Sequence, residues 1–156
     1  MITPNVRLRA VIDSDVPVFY HQQLDPVATA MAAFPSRDWP GFAAHWDRIR
    51  HSQSSILRTI EVNGEVVGTI SSYEQHGQWL MGYWLGQSFW GQGIATRAMQ
   101  LFLADFTLRP VFAHVAKHNL GSQRVLEKNG FVVMGEQYLE ADGMLPAVVE
   151  VELKLD

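Results

Sequence analysis

The sequence predicts an α+β fold in three layers, with helices on both sides of a mixed, mostly antiparallel central sheet. Two β-type runs joined at Asn63-Gly64 predict a hairpin, and an amphipathic helix follows Gly91-Gln92-Gly93. After residue 110 the pattern is strand, helix and two further strands. A length of 156 residues is typical of one domain, so we expect residues 1–156 to form a single domain with about six to seven strands and about four helices.

The first 51 residues predict one strand and two helices. Residues 6–10 alternate apolar and basic side chains, as a half-buried strand does. Asp13-Ser14-Asp15 offers N-cap candidates for a helix that extends to about Gln23. Residues 25–40 contain three prolines, and we predict no regular element there. Residues 39–51 predict a second helix, because apolar side chains recur at helical spacing.

Three strands are predicted next, as an antiparallel meander. The runs at residues 55–62 and 65–72 are joined by Asn63-Gly64, whose residues both tolerate the positive φ of a tight hairpin turn. A third run covers residues 78–85. It contains Gly82, which has no side chain to pack and therefore indicates a β-bulge or a close backbone approach.

The remaining elements are two helices and three strands. A helix from Gly91 to about Phe106 has a broad apolar face, and a short buried strand follows at residues 111–116. Residues 119–129 predict a helix, which Gly130 ends. The last two predicted strands cover residues 131–139 and 147–155.

The composition excludes several classes of function. The chain has no cysteine, so it has neither disulfides nor thiolate metal ligands. A net charge of −4 without a basic block argues against general nucleic-acid binding. No apolar run approaches the roughly 20 residues that cross a bilayer, and the N-terminus lacks the layout of a secretory signal. We expect a soluble, cytoplasmic protein with no membrane partner.

The glycine turn before the third predicted helix is a candidate phosphate site. A strand-to-helix turn leaves N–H groups free at the positive end of the helix dipole. A P-loop requires a lysine after its last glycine, and Gly93 has none; a dinucleotide fingerprint requires a third glycine where Thr96 stands. Two alternatives remain: a pyrophosphate held by backbone amides, or a tight turn with no ligand.

Two further motifs accompany this turn. Residues 90–96, Trp-Gly-Gln-Gly-Ile-Ala-Thr, are similar to the acyl-CoA pyrophosphate loop of the GNAT N-acetyltransferase superfamily, although Trp90 replaces the usual Arg or Gln. Asn119-x-x-Ser122 with Leu-Glu-Lys-x-Gly-Phe over residues 126–131, and Gly-Tyr-Trp-Leu over residues 82–85, resemble the branch of ribosomal-protein N-terminal acetyltransferases. The resemblance covers residues 80–131 closely.

The resemblance implies a GNAT-like fold and an N-acetyltransferase that uses acetyl-CoA as cosubstrate. It implies that the amine attacks the thioester directly, without a covalent enzyme intermediate. It also assigns the CoA-binding residues: the backbone around the glycine turn for the pyrophosphate, and the end of the third meander strand together with an asparagine for the pantetheine arm. These residues are Trp84, Leu85, Gln92, Gly93, Ile94, Ala95, Thr96 and Asn119.

The resemblance leaves the catalytic residues open. By its place in the motif, Ser122 would protonate the leaving thiolate, although a serine that starts a helix can simply cap the first turn. Glu74, at the end of a central strand, and Glu140, after the penultimate predicted strand, are the candidates for the general base. A water relay without a single base is the alternative. His114 and His118 lack further ligands, so no metal is expected.

Two functions therefore compete. The first is an acyl-CoA-dependent N-acyltransferase that acts on a small amine or a peptide N-terminus. The second is a non-catalytic acyl-CoA-binding sensor or regulatory module. The resemblance also implies that a homodimer through the C-terminal strands is possible. The acceptor is not identified by any motif in residues 21–39.

Overall fold

The computed structural model describes residues 4–143 and 145–156. Its α-helices are α1 (Asp15–Gln23), α2 (Pro26–Ala32), α3 (Trp39–Arg50), α4 (Ile94–Asp105) and α5 (Leu120–Lys128). Its strands are β1 (Val6–Arg9), β2 (Ser55–Val62), β3 (Glu65–Gln75), β4 (Gln78–Leu85), β5 (Val111–Ala116), β6 (Val132–Leu139) and β7 (Val148–Leu155). A short 3-10 turn, Gln87–Phe89, links β4 to the glycine turn. In the described part of the chain, no helix is long and apolar enough to cross a membrane.

All strands belong to one sheet, in the order β1-β2-β3-β4-β5-β7-β6. Every neighbouring pair is antiparallel except β4 and β5, which are parallel. The predicted mixed, mostly antiparallel sheet of about six to seven strands is therefore confirmed. The single parallel pair matters for function, because it is the place where the sheet opens.

Helices cover both faces of the sheet, which confirms the predicted three layers. The helices α4 and α5 pack on one face, where the main core contains the fully buried Ala98 and Met99 of α4 and Val111 of β5. The helices α1 and α3 cover β2 and β3 on the other face, around Phe19 and Trp46. Burying large aromatic side chains on both faces fixes the helices against the sheet.

The close backbone approach predicted at Gly82 is wrong. A Cβ at Gly82 would have no heavy atom within 4 Å, and its register with Ser71 is regular. The close approach occurs instead at Gly68 on β3, where a Cβ would lie 2.1 Å from the carbonyl oxygen of Trp84. The irregular register lies beside it, where Ile60 pairs with Gly68 and Glu61 pairs with Val66. A glycine in a strand marks such a contact, but the sequence does not show which glycine makes it.

Two helix predictions require correction, and the count is five α-helices in the described residues rather than about four. The segment after Asp25 contains α2, because the Asp25 side chain accepts a hydrogen bond from the N–H of Val27 and Pro26 occupies the first helical turn. The helix predicted from Gly91 begins only at Ile94. Gly91 and Gly93 have φ values of 74° and 78°, which a right-handed helix does not accept.

Asp15 has a different role from the helix cap predicted for its segment. Its side chain is 2% exposed and accepts two hydrogen bonds from Arg9, one from the Ile12 N–H and one from the Thr59 hydroxyl. Burial favours the neutral acid, yet these hydrogen bonds and the charge of Arg9 hold the pKa of Asp15 below its ordinary value. Asp15 therefore ties α1 to β1 and β2.

Candidate functional site

The parallel strands β4 and β5 separate soon after they meet. They are paired only at Trp79 with Val111 and at Leu80 with Phe112, so the rest of β4 has no strand partner on that side. A cavity of about 580 Å³ opens at this gap, and α2, α4 and α5 contribute to its walls. We call it the first cavity. A strand end with unpaired backbone groups can hydrogen-bond an extended ligand in place of the missing strand.

The N-terminus of α4 forms one wall of the first cavity. The first intrahelical bond runs from the Arg97 N–H to the Gly93 carbonyl at 3.1 Å, so the N–H groups of Ile94, Ala95 and Thr96 have no acceptor within the helix. No side-chain cap bonds them at the Gly93 N-cap. These residues and Gly93 line the first cavity. The free amides and the helix dipole favour a phosphate group there.

The side chains of Gln92 and Trp90 hold this loop in its conformation and bring no charge to a phosphate. The side chain of Gln92 donates to the carbonyl of Ser88 at 3.2 Å, and Gln92 is not among the residues lining the first cavity. The indole N–H of Trp90 donates to the Leu85 carbonyl at 2.9 Å. Trp90, which replaces the usual Arg or Gln of the motif, thus fastens the loop to the end of β4.

Trp84 and Leu85 lie at the open end of β4, on the wall of the first cavity. The indole of Trp84 donates to the Gln22 carbonyl of α1 at 3.4 Å. Trp84 also lines a second cavity of about 480 Å³, which lies on the opposite side of the sheet under α1 and α3. The two cavities therefore meet at Trp84.

Asn119 and Ser122 occupy the start of α5, and the structure separates their roles. The Asn119 side chain accepts a hydrogen bond from the backbone N–H of Ser122 at 3.2 Å, so Asn119 is the N-cap. The Ser122 hydroxyl is therefore not needed as the cap. Both residues line the first cavity, as does Tyr83 of β4. Burial raises the pKa of Tyr83, and a hydrogen-bonding interaction with the Ser122 side chain partly offsets that rise.

The second cavity has both aromatic and polar walls, and its polar lining includes Gln23, Arg37, His45 and Glu74. Gln23 joins α1 to the loop before α3, since its amide exchanges hydrogen bonds with the backbone of Arg37. Burial and the nearby Arg37 and Arg48 lower the pKa of His45 to about 4, so its imidazole is neutral at pH 7. In the described part of the chain, the Oε1 atom of Gln22 is buried without a hydrogen-bond partner. A buried acceptor of this kind favours a ligand that brings a donor.

The two candidate bases lie apart from each other. Glu74 lines the second cavity, and its register partner is Trp79, where β4 still pairs with β5. The open end of β4 at Trp84 is about 17 Å further along an extended strand. Glu140 is exposed after the end of β6 and is not among the residues lining either cavity. Their catalytic roles stay predictions, and neither position places a carboxylate beside the open end of β4.

The structure brings together a group of titratable side chains that sequence reasoning missed. His114 of β5 contacts Glu150 of β7 from Nδ1 at 2.7 Å and Glu152 of β7 from Nε2 at 3.3 Å. In the sequence, His118 is the only candidate partner near His114. In the structure, the Nε2 of His118 instead donates to the Ala30 carbonyl at 3.0 Å. Across residues 4–143 and 145–156, no group of three or more His, Cys, Asp or Glu side chains is arranged to hold a metal ion.

Comparisons with known proteins agree with this geometry. The sequence model of the acetyltransferase (GNAT) domain family matches residues 5–132. A Mycobacterium smegmatis RimJ structure in complex with CoA-disulfide is 27% identical, with a TM-score of 0.74 over 96% of this chain and 81% of the other. No curated protein matches the sequence.

Two further solved structures share the fold at lower identity. The spermidine N-acetyltransferase from Vibrio cholerae, in complex with CoA and spermine, has a TM-score of 0.78 at 17% identity, over 96% of this chain and 94% of the other. The RimL ribosomal L7/L12 alpha-N-protein acetyltransferase has a TM-score of 0.76 at 21% identity, over 96% of this chain and 89% of the other.

Proposed function

Since the chain belongs to the GNAT acetyltransferase family, we propose that it is an acyl-CoA-dependent N-acyltransferase that moves an acetyl group from acetyl-CoA to a primary amine. The free amides at the N-terminus of α4 carry this proposal, because they lie beside the gap between β4 and β5 in one cavity. A phosphate site and an unpaired strand end in the same cavity suit the two halves of CoA.

The first cavity would hold acetyl-CoA along its whole length. The backbone of residues 92–96 would bind the pyrophosphate, and Trp84, Leu85 and Asn119 would hydrogen-bond the pantetheine amides. A backbone N–H of β4 would polarise the thioester carbonyl as negative charge develops on its oxygen. Arg124 and Lys128 also line this cavity and supply positive charge for the remaining phosphate.

The acceptor would approach from the other face of the sheet. The two cavities meet at Trp84, so an amine in the second cavity could reach a thioester in the first through the opening between β4 and β5. The amine nitrogen would attack the carbonyl carbon directly, and Ser122 would donate a proton to the departing thiolate of CoA. The aromatic side chains of this cavity, together with the carboxylate of Glu74, suit a small amine or the first residues of a peptide. The assignment of these residues to the site is part of this proposal. The cytoplasmic location expected from the sequence is also part of it.

Strand β6 supports a homodimer as a further part of the proposal. It forms the edge of the sheet, and Val132, Met134 and Tyr138 are more than half exposed on it. A long edge strand with exposed apolar side chains is a surface for pairing with another chain. A second copy of this chain would cover it.

Two measurements test the enzymatic proposal. Acetyl-CoA at 100 times its dissociation constant should stabilise the fold by about 2.7 kcal/mol, which a thermal shift detects. The absence of any shift would contradict the phosphate site. Release of CoA thiol is then followed with phenethylamine, spermidine and Ala-Ala-Ala as acceptors. Binding without thiol release at any of these would favour the alternative, a non-catalytic acyl-CoA sensor.

The positive side chains of the first cavity have a test of their own. If Lys128 contacts the 3′-phosphate, Lys128→Gln should weaken acetyl-CoA about tenfold and leave acetyl-3′-dephospho-CoA unchanged. Lys154→Gln on β7 is the matched control, since Lys154 pairs with Asp156 and does not line the cavity. Equal weakening of both ligands would assign Lys128 to the fold instead of the phosphate.

A further inference from the structure

Acyl transfer of the kind proposed above needs a group that removes a proton from the amine, and this inference rests on that proposed function. At neutral pH most primary amines carry an extra proton, and an ammonium nitrogen has no lone pair with which to attack. The group that accepts this proton must lie within hydrogen-bond reach of the amine, directly or through one water. Glu140 lines neither cavity, and Glu74 lies about 17 Å along the strand from the open end of β4, so neither carboxylate is placed beside that end.

His114 lies at the gap itself. Leu80 and Phe112 form the last pair between β4 and β5, and side chains alternate between the two faces of a strand. Gly82 and His114, each two residues further on, therefore share one face, on opposite sides of the opening. This is the face that carries Thr69 and Ser71, away from α4 and α5. Ser71, the register partner of Gly82, lines the second cavity, whereas Gly82 and His114 lie outside its lining.

The opening beside His114 is free for a ligand. Gly82 contributes no side chain, and a Cβ there would meet no heavy atom within 4 Å. The imidazole of His114 is 32% exposed, so one edge of the ring is accessible while its strand is held in the sheet.

The partners of His114 orient the ring for proton transfer. In the neutral ring with hydrogen on Nδ1, the N–H donates to Glu150 Oε1 at 2.7 Å, and Nε2 keeps its lone pair. When Nε2 takes up a proton, Glu152 Oε2 lies 3.3 Å away and can accept the new hydrogen bond. A carboxylate behind one nitrogen of a histidine is the arrangement that fixes the tautomer of a general base.

We propose that His114 is the general base of this protein and that Glu150 is its positioning residue. The ammonium of the acceptor gives one proton to Nε2 of His114 and becomes a neutral amine. Its nitrogen then forms the N–C bond as the C–S bond breaks, and the second proton passes to the thiolate of CoA. The products are the N-acetyl amine, CoA thiol and one proton, which His114 releases to solvent.

The charged and titratable groups that share the face of His114 come from β7 and β3, while β4 contributes none. They are Glu150, Glu152, Lys154 and Tyr73. Burial and the charge of Glu150 raise the pKa of Tyr73, which keeps that phenol neutral when the amine binds.

The test replaces the base and its positioning residue separately. His114→Gln should lower kcat about a hundredfold or more at neutral pH with saturating acetyl-CoA. The loss should shrink at alkaline pH, where the amine is already deprotonated, and imidazole added to His114→Ala should restore part of the rate. Glu150→Gln should lower kcat about tenfold and move the acid limb of the pH profile, with little change in KM. Glu136→Gln on β6 is the matched control and should retain full activity, because the Glu136 carboxylate is bonded to Lys117 and not to His114.

The outcomes separate this inference from the proposed function. An unchanged acetyl-CoA thermal shift in each variant shows that it is folded, because the CoA cavity lies on the other face. If the wild-type protein acetylates none of phenethylamine, spermidine and Ala-Ala-Ala at any pH, the proposed function is overturned. The role of His114 as general base is then overturned as well. If the wild type is active while His114→Gln keeps more than half of its kcat and the same pH profile, only the role of His114 is overturned.

Discussion

Replacing Gly68 with alanine should damage both the fold and the acyl-CoA site. The new Cβ would lie 2.1 Å from the Trp84 carbonyl oxygen and 3.0 Å from the Leu85 Cα, whereas ordinary contacts begin at 3.4 Å. To lengthen the contact from 2.1 Å to 3.4 Å, β3 and β4 must separate by about 1.3 Å at this point. Both obstructing atoms are backbone, so no side-chain rotation relieves the overlap.

The expected cost follows from this displacement. Overpacking a core typically costs about 1–3 kcal/mol, and an immovable backbone oxygen places Gly68→Ala at the upper end. We expect a loss of about 3 kcal/mol in the free energy of unfolding, which corresponds to a Tm about 6–12 °C lower for a chain of this size. Acetyl-CoA should also bind more weakly, because Trp84 and Leu85 line the first cavity.

Urea unfolding with and without acetyl-CoA measures both effects. Gly135→Ala is the matched control, since Gly135 also lies in a strand but a Cβ there has no heavy atom within 4 Å. It should change the free energy of unfolding by less than about 1 kcal/mol. The reasoning is refuted if Gly68→Ala and Gly135→Ala have the same unfolding midpoint and slope.

Three further changes test other parts of the structure. Asp15→Asn should cost about 2–4 kcal/mol, because it leaves the partly buried Arg9 without its main partner. The pKa of Asp15 is lowered by folding, so this stabilisation is present above the ordinary pKa of 3.8 and is lost as the pH falls below it, as acid unfolding of wild type and variant would show. Ser122→Ala should lower turnover roughly tenfold to hundredfold without loss of stability, since Asn119 supplies the helix cap; unchanged turnover would remove the acid role. Met134→Glu should convert a dimer to a monomer in light scattering, and a wild type that is monomeric at all concentrations would contradict the proposed interface.

The donor side of the candidate site could be predicted because its signals are local. Gly91, Gly93 and the N-terminus of α4 are adjacent in the chain, and the cap formed by Asn119 on Ser122 spans three residues. Local backbone geometry therefore decides where free amides occur. Asp25 followed by Pro26 is likewise a local signal for the start of α2, but the prolines at 26, 35 and 40 favour an irregular segment in the sequence.

Long-range contacts decided the predictions that failed. Gly82 and Gly68 look alike in the sequence, and only the pairing of β3 with β4 shows that the Trp84 carbonyl lies against Gly68. Asp15 stands in a segment typical of a helix cap, yet Arg9 of β1 and Thr59 of β2 determine what its carboxylate binds. A charged pair gains more from burial with complete hydrogen bonding than a cap gains at an exposed helix end, so the tertiary contacts prevail.

The carboxylate partners of His114 could be predicted from the register of the strands. Spacing along the chain indicates only His118 as a partner for His114, because it compares residues that are close in sequence. In the sheet β5 is antiparallel to β7, and the register places Glu152 directly opposite His114 with Glu150 two residues away on the same face. Both carboxylates stand at alternate positions of a predicted strand, so they were bound to share a face. Once the order of the strands is known, the register alone brings a histidine and two carboxylates together on one face beside the gap between β4 and β5.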